Sequence, residues 1–252
     1  MAPEGYTCRE ADAQTSNALG VLRCFRQRVQ EGKMENILRN SQLKFIGKLM
    51  AGVSHEFKNH LAIINESSGL MDDLLQIENT GLQNPERFLK ITKTIEERVA
   101  QAALMSRHVN SFSHRMDEPC SSFDVNEVLQ EEFSLLQRFA RQQNTHLEIK
   151  LGQNLPAVDN NPSLFQFVVF CLLEPTLDQA GPGSRILIST EKQETAVKIT
   201  VDSESSKGSS AEVILADILP YALEKMSAQL FRESPGQGRD IATLILPSIA
   251  CA

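Results

Sequence analysis

Two different rhythms of apolar residues divide the chain. From Ala11 to Ile77 there is no proline, and apolar positions recur at spacings of three and four, which predicts one long helix. A polar stretch, Asn79 to Asn84, interrupts it, and Pro85 suits the first turn of a second helix reaching about Ser113. That helix has an apolar stripe of Phe88, Ile91, Ile95, Val99, Ala102, Met105, Val109 and Phe112. Two long antiparallel helices with a short turn make a hairpin. After the turn-rich segment Met116 to Ser122 the signal changes. Helices are predicted at Val125–Gln143, Pro162–Glu174 and Pro220–Phe231, and strands at Leu147–Leu151, Arg185–Thr190, Ala196–Val201 and Ile241–Leu246. The expected fold class is therefore α + α/β: a helical hairpin, then an α/β sandwich. The expected organisation is a helical extension over 1–43, a hairpin over 44–115 and an α/β domain over 123–252.

A two-helix hairpin with one apolar seam cannot bury that seam alone, so a homodimer forming a four-helix bundle is expected. Ala18, Leu22, Phe25 and Val29 would extend the coiled coil.

Composition narrows the function. With 25 Lys and Arg against 32 Asp and Glu, the net charge of −7 argues against a nucleic-acid binder. The longest apolar run, Leu164–Leu173, is interrupted by Gln166 and is half the length needed to span a bilayer. The first residues lack a basic start followed by an apolar stretch, so no signal peptide is expected. The five cysteines (Cys8, Cys24, Cys120, Cys171 and Cys251) are odd in number and none forms a CxxC pair, which predicts reduced thiols and a cytoplasmic protein.

The chemistry concentrates between Phe45 and Leu61. With about 100° of turn per residue, Met50, Val53, Phe57, Leu61, Ile64, Met71 and Leu75 fall within about 60° of Ile46, while His55 lies at about 180° and should point into solvent. Asn59 is one turn along on the same face. Ala51, Gly52 and Ala62 leave the backbone thinly covered, so another protein could approach the imidazole. The pair His55-Glu56 suggests a zinc HExxH motif, but the second histidine, His60, is at i+5. About 140° separates the two side chains, which excludes a shared ion on a regular helix.

The box Ala51-Gly-Val-Ser-His-Glu-Phe-Lys-Asn-His-Leu61 resembles the phosphoacceptor segment of two-component histidine kinases, and the resemblance spans roughly residues 40 to 247. It implies that His55 carries a phosphoryl group, that Glu56 orients or activates the ring, and that Asn59 positions a water for dephosphorylating a partner's aspartate. It also implies a response-regulator receiver domain as partner. The family's α/β domain binds ATP, yet its motifs are altered here. Pro175, or Glu174 in a register one residue away, stands where a magnesium-binding Asn is expected, and the proline should disturb its helix. The counterpart of the DxGxG loop is Asp202-Ser-Glu-Ser-Ser206, with Glu204 and Ser206 replacing glycines. The lid region between Ser203 and Leu219 is short, and Pro235 to Gly238 reads as a turn.

The expectation is a degenerate kinase-type domain with no bound cofactor, and with magnesium supplied by the receiver. The leading function is then a histidine phosphotransferase of a phosphorelay. The alternatives are a response-regulator phosphatase or docking module, and an active sensor kinase.

Overall fold

The computed structural model describes residues 17–76, 85–204, 218–236 and 238–249, with side chains from residue 28 onward. The turn at 79–84, the lid stretch at 205–217 and the packing of Ala18, Leu22 and Phe25 lie outside the described residues.

Helix α1 runs from Asn17 to Gln76 and α2 from Pro85 to His114, as the periodicity predicts. The α/β part follows as β1 (Ser121–Phe123), α3 (Val125–Gln142), β2 (His146–Lys150), β3 (Val158–Asn160), α4 (Pro162–Gln179), β4 (Arg185–Gln193), β5 (Ala196–Glu204), α5 (Ile218–Lys225), β6 (Gln229–Gly236) and β7 (Arg239–Pro247). Local chemistry fixes the starts of the two longer helices. The Asp124 carboxylate accepts from the Asn126 and Glu127 amides at the head of α3, and Asn161 accepts from the Leu164 amide ahead of Pro162 in α4.

Five strands form a mixed sheet in the order β2-β4-β5-β7-β6, parallel only between β2 and β4, while β1 and β3 make a separate antiparallel pair. Ile186, Ile188, Val197, Ile199, Val201, Leu244 and Leu246 alternate onto one buried face of the sheet, against which the helices pack, giving a two-layer α/β sandwich.

Three differences from the expected elements have physical causes. Helix α4 continues through Pro175 for four more residues, so the proline does not end it. The Thr176 hydroxyl donates to the Leu172 carbonyl at 2.7 Å, adding a side-chain bond in the turn that contains the proline. Helix α5 stops at Lys225, and the residues expected to continue it begin the edge strand β6. That strand is almost wholly exposed, and its pairing with β7 shifts register between Glu233 and Gly236, around Pro235, a residue tolerated only at edges and bulges. Gly236 and Gly238 have positive φ of 98° and 73°, consistent with the expected turn into β7. The reading of five reduced thiols is also corrected: Cys171 is a buried free thiol, but Cys120 is disulfide-bonded.

The hairpin and the sandwich share one core. Phe45 of α1 packs against Phe112 of α2 with ring centroids 5.5 Å apart, and against Phe167 and Phe170 of α4 at 6.1 and 4.5 Å. On α1 the buried stripe comprises Leu38, Phe45, Leu49, Val53, His60 and Leu74. It is rotated by about 60° from the seam centred on Ile46. The remaining side of that seam is open: Leu43, Leu61 and Leu75 are exposed, as are Leu89 and Val99 on α2. Among the described residues no helix is long and apolar enough to cross a membrane.

Candidate functional site

His55 is exposed on α1, as its helical phase requires. Val53 and His60, which flank it in sequence, are buried, so the heptad-like inward phase of the helix turns His55 outward. His60 points into the interior, its Nδ1 lacking a hydrogen-bond partner among the described residues, and so does not share a ligand position with His55. Asn59, one turn along, places its Nδ2 3.2 Å from the His55 Nδ1.

Glu56 is placed differently from its two companions. Its carboxylate is directed away toward α3, where Arg141 Nη2 donates to Oε1 at 2.6 Å, and the Glu56 side chain is only 15% exposed. The structure therefore brings His55 and Asn59 together and ties Glu56 to the sandwich.

Sequence reasoning missed the C-terminal turns of α3. Arg138 donates to the Gly52 carbonyl at 3.0 Å, and the Phe139 ring lies against the bare Gly52 Cα. A β-carbon at position 52 would meet that ring at 3.1 Å, closer than ordinary van der Waals contact. Lys48, one turn before Gly52, pairs with Glu174 of α4. Farther up the helix, Glu35 accepts from Tyr221 Oη at 2.8 Å and pairs with Lys225 at 3.0 Å, both on α5. Those partners hold the Glu35 carboxyl below its usual range, with the Lys225 hydrogen bond the largest cause. Arg138 and Arg141 are isolated cations in the sequence, and only the fold reveals what they hold.

Between α1 and the sandwich there is a cleft of about 380 Å³. His55, Lys48 and Gly52 form one side, and Phe139, Phe170 and Asp178 are among the residues of the other. His55 is thus reachable from solvent at the mouth of a partly apolar groove.

At the positions that the sequence resemblance assigns to a nucleotide, the charged side chains pair with one another. Arg239 spans Asp202, with Nε 2.8 Å from Oδ1 and Nη2 2.6 Å from Oδ2. The hydrogen bond from Arg239 is the main reason the Asp202 carboxyl lies below its ordinary range. The opening beside Pro175, Thr176 and Asp240 measures about 80 Å³, whereas small-molecule sites occupy roughly 300–1,000 Å³. Of the glycine-loop counterpart, Ser205 and Ser206 lie outside the described residues.

An exposed histidine on a long helical hairpin, followed by a two-layer sandwich with a mixed sheet, is the arrangement that the resemblance of the sequence to histidine kinases implies. In sequence the chain is similar to sensor histidine kinases. It is 22% identical over 198 residues to the sensor histidine kinase ZraS of Escherichia coli K12, an alignment covering 76% of this chain and 39% of ZraS. The chain spans about two fifths of the length of the curated relatives it matches. No protein-family model matches it. Among solved structures, the histidine kinase AdeS of Acinetobacter baumannii aligns at 13% identity with a TM-score of 0.45, over 77% of this chain and 98% of that one. The histidine kinase ThkA, solved with the response regulator protein TrrA, aligns at 17% identity and a TM-score of 0.44, over 86% of this chain and 66% of that one.

Proposed function

We propose that the protein acts in two-component signalling as a dimeric histidine phosphotransferase that exchanges phosphoryl groups with receiver domains and does not use ATP. The observation that carries this reading is the exposure of His55 at the mouth of the cleft. In the forward step an imidazole nitrogen attacks the phosphorus of a receiver's aspartyl phosphate. The bond to the aspartate oxygen breaks, and the carboxylate leaves with its electron pair. The reverse step returns the group to a second receiver. Magnesium belongs to the receiver's acidic pocket. Lys58, exposed about 60° from His55 around the helix, would offset part of the added charge.

The absence of ATP chemistry from this proposal rests on Pro175 within α4, on Arg239 occupying the Asp202 carboxylate, and on the small volume between them. The dimer is supported by the exposed leucines on the open side of the α1 seam, since a second hairpin would cover them.

Asn59 favours a second reading, a receiver phosphatase in which its amide orients the attacking water. Incubation with a phosphorylated cognate receiver separates the two. Transfer predicts label on this protein that His55→Ala abolishes and Asn59→Ala retains. Loss of receiver phosphate without label, at equal rates in wild type and His55→Ala, would replace transfer with hydrolysis. Binding with neither label nor phosphate loss would leave a docking module.

A further inference from the structure

An amide nitrogen can only donate a hydrogen bond. In the contact between Asn59 Nδ2 and His55 Nδ1 the ring nitrogen is therefore the acceptor, and in the neutral imidazole the proton sits on Nε2. A nitrogen bearing a proton has no free lone pair in the ring plane, so the outer nitrogen of this imidazole is not a nucleophile. An anionic acceptor at Nδ1 would favour the opposite tautomer over what solvent water alone provides. The adjacent carboxylate, Glu56, would provide one, but it is held by Arg141 at 2.6 Å.

We propose that Arg141 is a positioning residue: by holding Glu56 against α3 it leaves Nδ1 to Asn59 and keeps His55 in its non-nucleophilic tautomer. Release of the pair lets Glu56 accept the Nδ1 proton and frees the lone pair of Nε2 for attack on phosphorus. The device depends on α3 approaching α1 closely, which the missing side chain at Gly52 and the Arg138 bond to its carbonyl provide. The inference rests on the phosphoacceptor reading for its consequence, but not for the tautomer itself.

Nitrogen-15 NMR of the full chain reports the tautomer directly, and inorganic phosphoramidate serves as a phosphodonor that needs no partner protein. In that reaction Nε2 bonds to phosphorus, the phosphorus–nitrogen bond breaks and ammonia leaves, while Glu56 takes the Nδ1 proton. Wild type should show the Nε2-protonated ring. Arg141→Ala should move it to the Nδ1-protonated form and raise the labelling rate of His55 about tenfold or more, within the range of general-base effects. Arg141→Lys should restore the wild-type tautomer. Arg138→Ala, which weakens the same helix contact without touching Glu56, should leave the tautomer unchanged. Glu56→Gln added to Arg141→Ala should cancel the gain. An unchanged ring in Arg141→Ala, or the same shift in Arg138→Ala, overturns the assignment. A tautomer shift with no labelling of His55 in any variant would support the role of Arg141 and refute the phosphoacceptor reading, so the two fail separately.

Discussion

Arg239 lies across Asp202 as a two-pronged clasp, its Nε and Nη2 each donating to a different carboxylate oxygen. This pairing is the geometry in which guanidinium and carboxylate fit best, and it engages both oxygens of Asp202, leaving only one lone pair on each for any other donor. With Pro175 and an opening of about 80 Å³ beside it, the expected calorimetric result with ATP and magnesium is no saturable site below about millimolar, a regime worth only about 4 kcal/mol. Micromolar binding followed by autophosphorylation would restore the kinase reading.

The exposed side of the hairpin seam predicts association. Light scattering of the full chain should give twice the mass of one chain. Replacing Leu61 and Leu75 together by glutamate should yield a monomer with unchanged helical content, because both side chains project outward and neither supports the chain's own core. A wild-type monomer at micromolar concentration would contradict the bundle.

Phe45 joins hairpin and sandwich through three aromatic neighbours while only 3% exposed. Phe45→Ala should cost about 3–5 kcal/mol in urea unfolding. The loss should also loosen α4 from α1, visible as faster amide exchange at both contact surfaces. A change under 1 kcal/mol would mean that the ring cluster contributes little to joining the two parts.

Glu132 of α3 is fully buried, and neither carboxylate oxygen has a hydrogen-bond partner among the described residues. Burial pushes its pKa well up, with Arg115 pulling weakly the other way. Below the ordinary carboxylate range both folded and unfolded chains carry the proton, and full stability is retained. As pH rises past that range the unfolded chain releases the proton first, so stability falls until the folded group itself ionises. The urea midpoint should therefore drop as pH rises above the ordinary carboxylate range, and Glu132→Gln should flatten that slope. An identical slope in the variant would assign the dependence elsewhere.

The hairpin was readable because its elements are long and periodic, and His55 because its phase on such a helix is determined by simple rotation. The sandwich was partly readable. Strands β4, β5 and β7 alternate cleanly, whereas β6, an exposed edge carrying Arg232, Glu233, Ser234 and Pro235, has no buried face to impose a pattern. The three-residue strands β1 and β3 are too short to show a period at all. Pro175 was expected to disturb α4, yet the helix is buried on most sides and tertiary packing holds its course. The placement of Glu56 was not readable: it depends on Arg141, 85 residues away, and no local signal links them.

Lys48, Gly52 and Glu56 occupy successive turns at i, i+4 and i+8, a single row about 12 Å long. The row works as a phase mark on the helix. Turning α1 by one residue position, about 100°, would present Leu49, Val53 and Phe57 instead. Those are three hydrocarbon side chains with no charge for Glu174 or Arg141 to pair with, and Val53 would put a branched side chain where the Phe139 ring meets bare backbone. The grip of the sandwich on its helix therefore fixes both the rotation of α1 about its axis and its position along it, since a slide of one turn would set Lys48 or Glu56 against the Phe139 ring where Gly52 fits.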